Sequence, residues 1–247
     1  MRVPFLCVFL LAACSSGGAS VKPPESPCRQ QSFEGSRFTV CEAGDTRLKL
    51  VAAGPKEASV RSFADLPPSV PQEQVAFAMN AGMFDEAGRP IGLAIADGQS
   101  KHAINLRDGG GNFHLQPNGV FLVTTSGRAM VVRSQAYSDL QTEPQQATQS
   151  GPMLVIQGKL HPKFDHDGES RNIRNGVGVT ADGKAVFVIS EDLVSFGRLG
   201  RFFRDALKTP NALYFDGSVS SLWDPANGRQ DSHVELGPMI VAVKAAE

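Results

Sequence analysis

The chain has no excess of positive charge. Its 247 residues carry 24 Lys and Arg against 25 Asp and Glu, a formal net charge of −1, and no run or stripe of cations stands out. Nucleic-acid binding needs a concentrated basic surface, so a general nucleic-acid role is excluded. Long apolar runs are missing too. The stretch Val3 to Leu11, broken by Pro4, is far short of the roughly 20 residues that span a bilayer as a helix. The five histidines show no His-x-x-x-His pattern, and the chain has no Cys-x-x-Cys. No metal is therefore expected, and His161 and His166, with Asp165 and Asp167, read as a solvated loop. Gly109-Gly110-Gly111, after Arg107-Asp108, lacks the lysine of a Walker loop and the register of a dinucleotide fingerprint. No nucleotide cofactor is expected, and the run reads as a glycine loop able to cover a pocket.

Cysteine is scarce, and its placement is informative. Arg2, the apolar run and Leu11-Ala12-Ala13-Cys14 resemble a bacterial lipobox, in which cleavage precedes a lipidated cysteine. The competing reading is an ordinary signal peptide with a chance cysteine. On the lipoprotein reading residues 1–13 leave, Cys14 carries lipid, and residues 14–30 form a Ser-, Gly- and Pro-rich tether. Ser15 then points to the outer membrane, facing the periplasm. The mature chain keeps 23 basic against 25 acidic residues. Cys28 and Cys41 remain as an even pair in an oxidising compartment and are expected to form a disulfide. Residues 31–247 suit one domain.

Strand signals dominate that domain. Leu48–Ala52 is expected to pair with Thr39–Val40. Val75–Met79 runs into Asn80. Hairpins are expected around Asp97-Gly98, Ser126-Gly127, Gln157-Gly158 and Asp182-Gly183. Ala212–Phe215 and Met239–Val243 are further strands. Leu199, Phe202, Phe203, Ala206 and Leu207 share a helical face before Pro210. The expected class is α+β: a mixed, antiparallel-rich twisted sheet with several hairpins and few helices.

Four short polar motifs lie at the ends of probable strands: Asn80-Ala81-Gly82-Met83-Phe84, Ser150-Gly151-Pro152, Arg174-Asn175-Gly176-Val177-Gly178 and Asp216-Gly217-Ser218-Val219-Ser220. Strand ends aim polar groups out of a rigid sheet, and glycine lets backbone N–H groups approach a ligand. Together they predict one site for a polar, anionic small molecule. Each has a plainer reading, an Asx turn or a surface charge. Asp216 is the candidate acid, base or nucleophile, and Glu191, beside Asp192, is a second carboxylate. Arg174 offers a planar fork for phosphate or carboxylate. Asn80, Gly82, Ser150, Gly151, Gly217, Ser218 and Ser220 are candidate substrate-binding residues.

In this order and spacing the motifs resemble the phosphodiester glycosidase family, in its bacterial branch, from about Phe38 to Val243. Asn80-Ala81-Gly82 with Phe84, Ser150-Gly151, Arg174 with Gly178, and Asp216-Gly217 with Ser220 match its motifs. Ser218 and Val219 stand where other members carry glycines. The resemblance implies hydrolysis of a sugar-1-phosphate diester at the anomeric C–O bond. The substrate would be a small sugar phosphate or an envelope glycan. A non-catalytic lipoprotein that binds glycan or peptidoglycan is the alternative.

Overall fold

The computed structural model describes residues 25–245. The expected signal peptide, the lipid on Cys14 and most of the tether lie outside the described residues. Strands β1 (Cys28–Phe33), β2 (Ser36–Glu42), β3 (Arg47–Val51) and β4 (Val75–Asn80) come first. Then follow β5 (Ala94–Ala96), β6 (Gln99–His102), β7 (Gly119–Thr124), β8 (Ala129–Arg133) and β9 (Pro144–Ser150). Next are β10 (Met153–Ile156), β11 (Lys159–Leu160), β12 (Asn175–Val179), β13 (Ala185–Ser190) and helix α1 (Phe196–Arg201). The chain closes with β14 (Asn211–Tyr214), β15 (Leu222–Asp224), β16 (Arg229–Gln230) and β17 (Met239–Val243).

The α+β, antiparallel-rich class is the one found, distributed over three sheets. Their orders are β1-β2-β13-β12-β14-β10-β11, β16-β15-β4-β17-β3 and β6-β5-β9-β7-β8. Every strand pairing is antiparallel. The four expected hairpins form. At two of them both turn residues are left-handed: Asp97 and Gly98 at φ 49° and 76°, Gln157 and Gly158 at 49° and 77°. Two placements differ from expectation. β3 pairs with β17, not with β2, because Leu48 and Leu50 share the central core with Ile240 and Ala242. The ordered domain also begins before residue 31, since Cys28 already pairs with Cys41 across β1 and β2.

All three sheets turn one face onto a common core. Phe77 of the second sheet, Phe121 of the third and Phe187 and Phe215 of the first meet there with ring centroids 5.4–6.5 Å apart. The outer face of the first sheet is covered by α1 and its wider-turned continuation through Ala206. The Gly-Val-Gly-Val alternation of β12 explains the fit. Val177 and Val179 face the core, while a Cβ on Gly178 would sit 2.7 Å from both Phe203 and Thr209. That face must be flat for the helix to pack.

Cys28 and Cys41, 13 positions apart in sequence, form a disulfide across the β1–β2 pair, with Cα atoms 4.0 Å apart. It ties down an edge strand with a largely polar sequence and an exposed flank. A loop of this size is worth about 3 kcal/mol. Cys28→Ser should therefore lower Tm by roughly 6–12 °C under non-reducing conditions, and by little when both proteins are reduced. Calorimetry with and without reductant checks this.

Candidate active site

One end of the first sheet gathers the motifs. β12 begins there, β13 and β14 end there, and β4 and β9 deliver their last residues from the other two sheets. In β12 and β14, Gly176 pairs with Tyr214, and the Phe215 N–H donates to the Asn175 carbonyl at 3.1 Å. Tyr214 N–H donates to Pro152 O at 3.1 Å, which brings Ser150-Gly151 alongside. A Cβ on Gly82 would lie 2.5 Å from the Gln149 carbonyl, so the Asn80 loop packs on the end of β9.

Asp216 sits at the centre. Its N–H donates to Ala81 O at 3.0 Å, and its carbonyl accepts from Asn80 Nδ2 at 2.7 Å. Its carboxylate Oδ1 accepts from the Ser218 N–H at 3.1 Å, capping the short turn Gly217–Val219. Burial pushes the carboxyl above the usual carboxylate range, and only Ser218 opposes it, by hydrogen bonding. Among the described residues it forms no ion pair.

Asn80 is buried, and its Oδ1 accepts from Asn175 Nδ2 at 2.8 Å and Ser221 N at 2.9 Å. Asn175 Oδ1 in turn accepts from Ser220 Oγ at 3.2 Å. Ser220 Oγ also lies 3.1 Å from Ile173 O and 3.2 Å from Gly217 O. Asn80, Asn175 and Ser220 thus form a frame around the Asp216 turn. Ser218 is exposed. Ser150 Oγ is buried with no hydrogen-bond partner. Gly151 lies against Asn118, where a Cβ would come within 2.6 Å of that side chain's Cβ.

Arg174 is 1 % exposed. Its Nε donates to Val194 O at 2.9 Å, Nη1 to the Tyr214 hydroxyl at 3.1 Å, and Nη2 to Ser170 O and Oγ, both at 3.1 Å. The guanidinium stacks 3.7 Å from the Phe196 ring centroid. Burial lowers its pKa from the ordinary guanidinium range, yet it stays charged at neutral pH. No carboxylate among the described residues pairs with it. Ser170 and Phe196 also line a cleft of about 160 Å³. The sequence assigned this fork to a substrate anion; in the structure most of it is held by protein acceptors.

Glu191 is placed differently. Its Oε1 accepts from Thr39 Oγ1 and Arg229 Nη1, both at 2.5 Å. Arg229 also grips Asp231 at 2.9 Å. Glu191 follows β13 and Asp216 follows β14, with β12 between, so the parent strands lie about 10 Å apart. His161 is buried, not solvated: its Nδ1 accepts from Lys163 N at 3.2 Å, and its ring stacks on Phe164 at 4.6 Å. Burial lowers its pKa.

The family model for phosphodiester glycosidases matches residues 73–235, a span holding every site residue from Asn80 to Ser220. The chain belongs to the phosphodiester glycosidase family. A relative from Escherichia coli K12, the uncharacterized protein YigE, is 40 % identical over 152 residues. That alignment covers 62 % of this chain and 59 % of the relative, so the chain matches about three fifths of that protein's length. The fold is shared with the catalytic domain of zebrafish N-acetylglucosamine-1-phosphodiester α-N-acetylglucosaminidase, auto-inhibited by its pro-peptide. The TM-score is 0.61 at 15 % identity, over 89 % of this chain and 82 % of that one. A hypothetical protein from Synechocystis gives 0.55 at 16 % identity, over 88 % and 61 %.

Two site residues of this family member escaped the sequence reading. Asn175 lies inside a quoted motif, and an amide opening a Gly-Val strand was a usable signal. Tyr214 gave none, since an aromatic in a strand reads as core.

Proposed function

We propose that this phosphodiester glycosidase is an exported hydrolase that cleaves the anomeric C–O bond of a sugar-1-phosphate diester in the cell envelope. One observation carries the reading. Around the end of the first sheet, and both linked to Tyr214, stand a buried guanidinium without a carboxylate and a half-buried carboxylate without a cation. Leaving a charge uncompensated in the interior is costly. A ligand with one negative charge next to an electron-poor carbon answers both. A phosphodiester at an anomeric centre has that pattern.

The chemistry follows from the partners. A phosphomonoester is a good leaving group, so it needs charge stabilisation more than full protonation. Arg174 supplies a fixed positive field, and the Ser150 hydroxyl and backbone N–H groups near the Asp216 turn supply donors, with Ser220 holding the frame behind them. Asp216 stabilises the oxocarbenium-like carbon, attacks it, or activates water. All three roles need the carboxylate ionised. Because burial raises its pKa, the acid limb of kcat/KM should lie above the ordinary aspartate value of about 3.9, with activity rising as pH rises through it. A pH–rate profile checks this; an acid limb at or below that value contradicts it.

Glu191, held by Arg229 and Thr39, braces β13 against the β15–β16 hairpin and stands away from the reacting carbon. Glu191→Gln should cost less than about tenfold in kcat, well below the 10²–10⁴-fold of a general acid or base. A larger loss would return Glu191 to the chemistry.

The protein is anchored by lipid on Cys14 at the outer membrane and faces the periplasm, where the Cys28–Cys41 disulfide is stable. Cys14→Ser should move it from the membrane to the soluble fraction; retention on membranes contradicts the anchor. The function is tested by release of sugar or phosphomonoester from a panel of sugar-1-phosphodiesters. Turnover by the wild type and its loss in Asp216→Asn are expected. No turnover across the panel, with binding of envelope glycan instead, would overturn the reading.

A further inference from the structure

We infer that Tyr214 is a positioning residue for Asp216: Arg174 holds its hydroxyl against Gly217, and this contact sets the turn that carries the carboxylate. The inference rests on the proposed role of Asp216 at the anomeric carbon.

Tyr214 is the last residue of β14 and lies two residues before Asp216, so both leave the same face of the strand. Its ring is 2 % exposed and packs edge-on against Phe196, with centroids 4.7 Å apart and planes at 80°. Phe196 thus backs the ring on one side. Its oxygen accepts from Arg174 Nη1 at 3.1 Å. On the other side lies the turn. A Cβ on Gly217 would fall 1.9 Å from the hydroxyl oxygen and 2.6 Å from the ring carbon that bears it. Only glycine leaves room for the phenol, and the phenol fills the space that any side chain would take.

Other groups hold the turn's backbone: the Asp216 N–H donates to Ala81 O and Ser220 Oγ donates to Gly217 O. Asp216 Oδ1 caps the Ser218 N–H, and Asn80 holds the Asp216 carbonyl from the β4 side. Ser220 ties the turn to Asn175 of β12, and Tyr214 abuts Gly217 itself, held in place because Arg174 is fixed by Val194 and Ser170. Arg174 thus acts on the carboxylate through the phenol. Removing the hydroxyl leaves a gap under Gly217 and an Arg174 N–H without its acceptor. The turn then relaxes and water reaches Asp216.

The test compares Tyr214→Phe, Gly217→Ala and the double variant with the wild type. Two readouts are taken: the kcat and KM split, and the titration of the Asp216 carboxyl carbon by ¹³C NMR. Tyr214→Phe should lower kcat by about 10–100-fold with KM within about threefold, the signature of a displaced reacting group. The Asp216 midpoint should fall toward the ordinary aspartate value as water enters. Gly217→Ala should lower kcat comparably. In the double variant the methyl still meets the ring carbon at 2.6 Å, but both changes displace the same turn, which can be lost only once. The kcat of the double variant should therefore exceed the product of the two single effects by about tenfold, a coupling that independent sites do not show.

Wild-type kcat together with an unmoved Asp216 midpoint in folded Tyr214→Phe overturns the inference, and so do additive single effects. The titration needs no substrate. If the wild type turns over nothing, the proposed function fails, and the Asp216 midpoint alone decides the positioning role. If circular dichroism shows Tyr214→Phe unfolded, Gly217→Ala keeps the Arg174–Tyr214 bond and decides by the same titration: a displaced midpoint supports the inference, an unmoved one overturns it.

Discussion

Asp216→Asn should lower kcat by about 10³-fold or more on any substrate the wild type hydrolyses, while Tm stays level or rises. The substitution removes the charge and almost no volume. The asparagine carbonyl can still accept from Ser218 N, so the cap on the Gly217–Val219 turn survives. The direction of the stability effect follows from linkage. Burial raises the folded-state pKa of Asp216 above its unfolded value. The folded state therefore binds the proton more tightly, and stability falls as pH rises from the unfolded pKa through the folded one. At neutral pH the ionised carboxylate is a net strain on the fold, and an uncharged isostere relieves it. Paired kcat and calorimetric measurements at neutral pH check both halves. A variant with full turnover contradicts the catalytic role, and one that loses several degrees in Tm contradicts the account of its burial.

Arg174 should show the opposite balance, with a large effect on stability as well as activity. Arg174→Ala should cost about 3–5 kcal/mol, the range for deleting a large buried side chain, or roughly 10 °C or more in Tm. The deletion empties the space beside Phe196. It also takes Arg174 from the buried Tyr214 hydroxyl, a loss of about 1–3 kcal/mol, while the Val194 carbonyl keeps the Asn172 N–H. Arg174→Lys keeps a charge but has no planar fork, so it cannot serve Val194, Tyr214 and Ser170 at once. It should recover part of the stability and little of the turnover. Thermal melts beside kinetics check this. Near wild-type turnover in Arg174→Lys would show that a point charge suffices.

The parts of this fold visible in the sequence are those governed by local chemistry. Asp97-Gly98 and Gln157-Gly158 announce their turns because a type I′ hairpin needs two left-handed residues. The glycines of β12 announce a strand that something packs against. The four polar motifs were legible as groups at strand ends, and the fold brings them to one end of the first sheet: Asn80 ends β4, Ser150 ends β9, Arg174 precedes β12 and Asp216 follows β14. What escaped depends on distant partners. β3 and β17 are nearly two hundred residues apart, and only the shared core joins them. β1, with Arg29, Gln30 and Gln31, lacks the apolar alternation of a strand, because it is an edge held by its disulfide and by β2. His161 is buried because Phe164 and the Gln116 carbonyl close over it, neither of which its polar neighbours suggest. Arg174 reads as a substrate fork, since its acceptors are two backbone carbonyls and two hydroxyls from distant or neutral residues, and their positions are a property of the fold and not of residue type. Tyr214 is silent for the same reason: its hydroxyl matters only once Arg174 and Gly217 are seen on either side of it.

The central claim concerns which bond breaks, and hydrolysis in ¹⁸O-enriched water reads that directly. Attack at the anomeric carbon, aided by Asp216, places the heavy oxygen in the sugar's new hydroxyl and leaves the phosphomonoester unlabelled by mass spectrometry. Label in the phosphomonoester, with an unlabelled sugar, would mean that the phosphorus–oxygen bond is cleaved, and the assignment of Asp216 to the anomeric centre would be wrong.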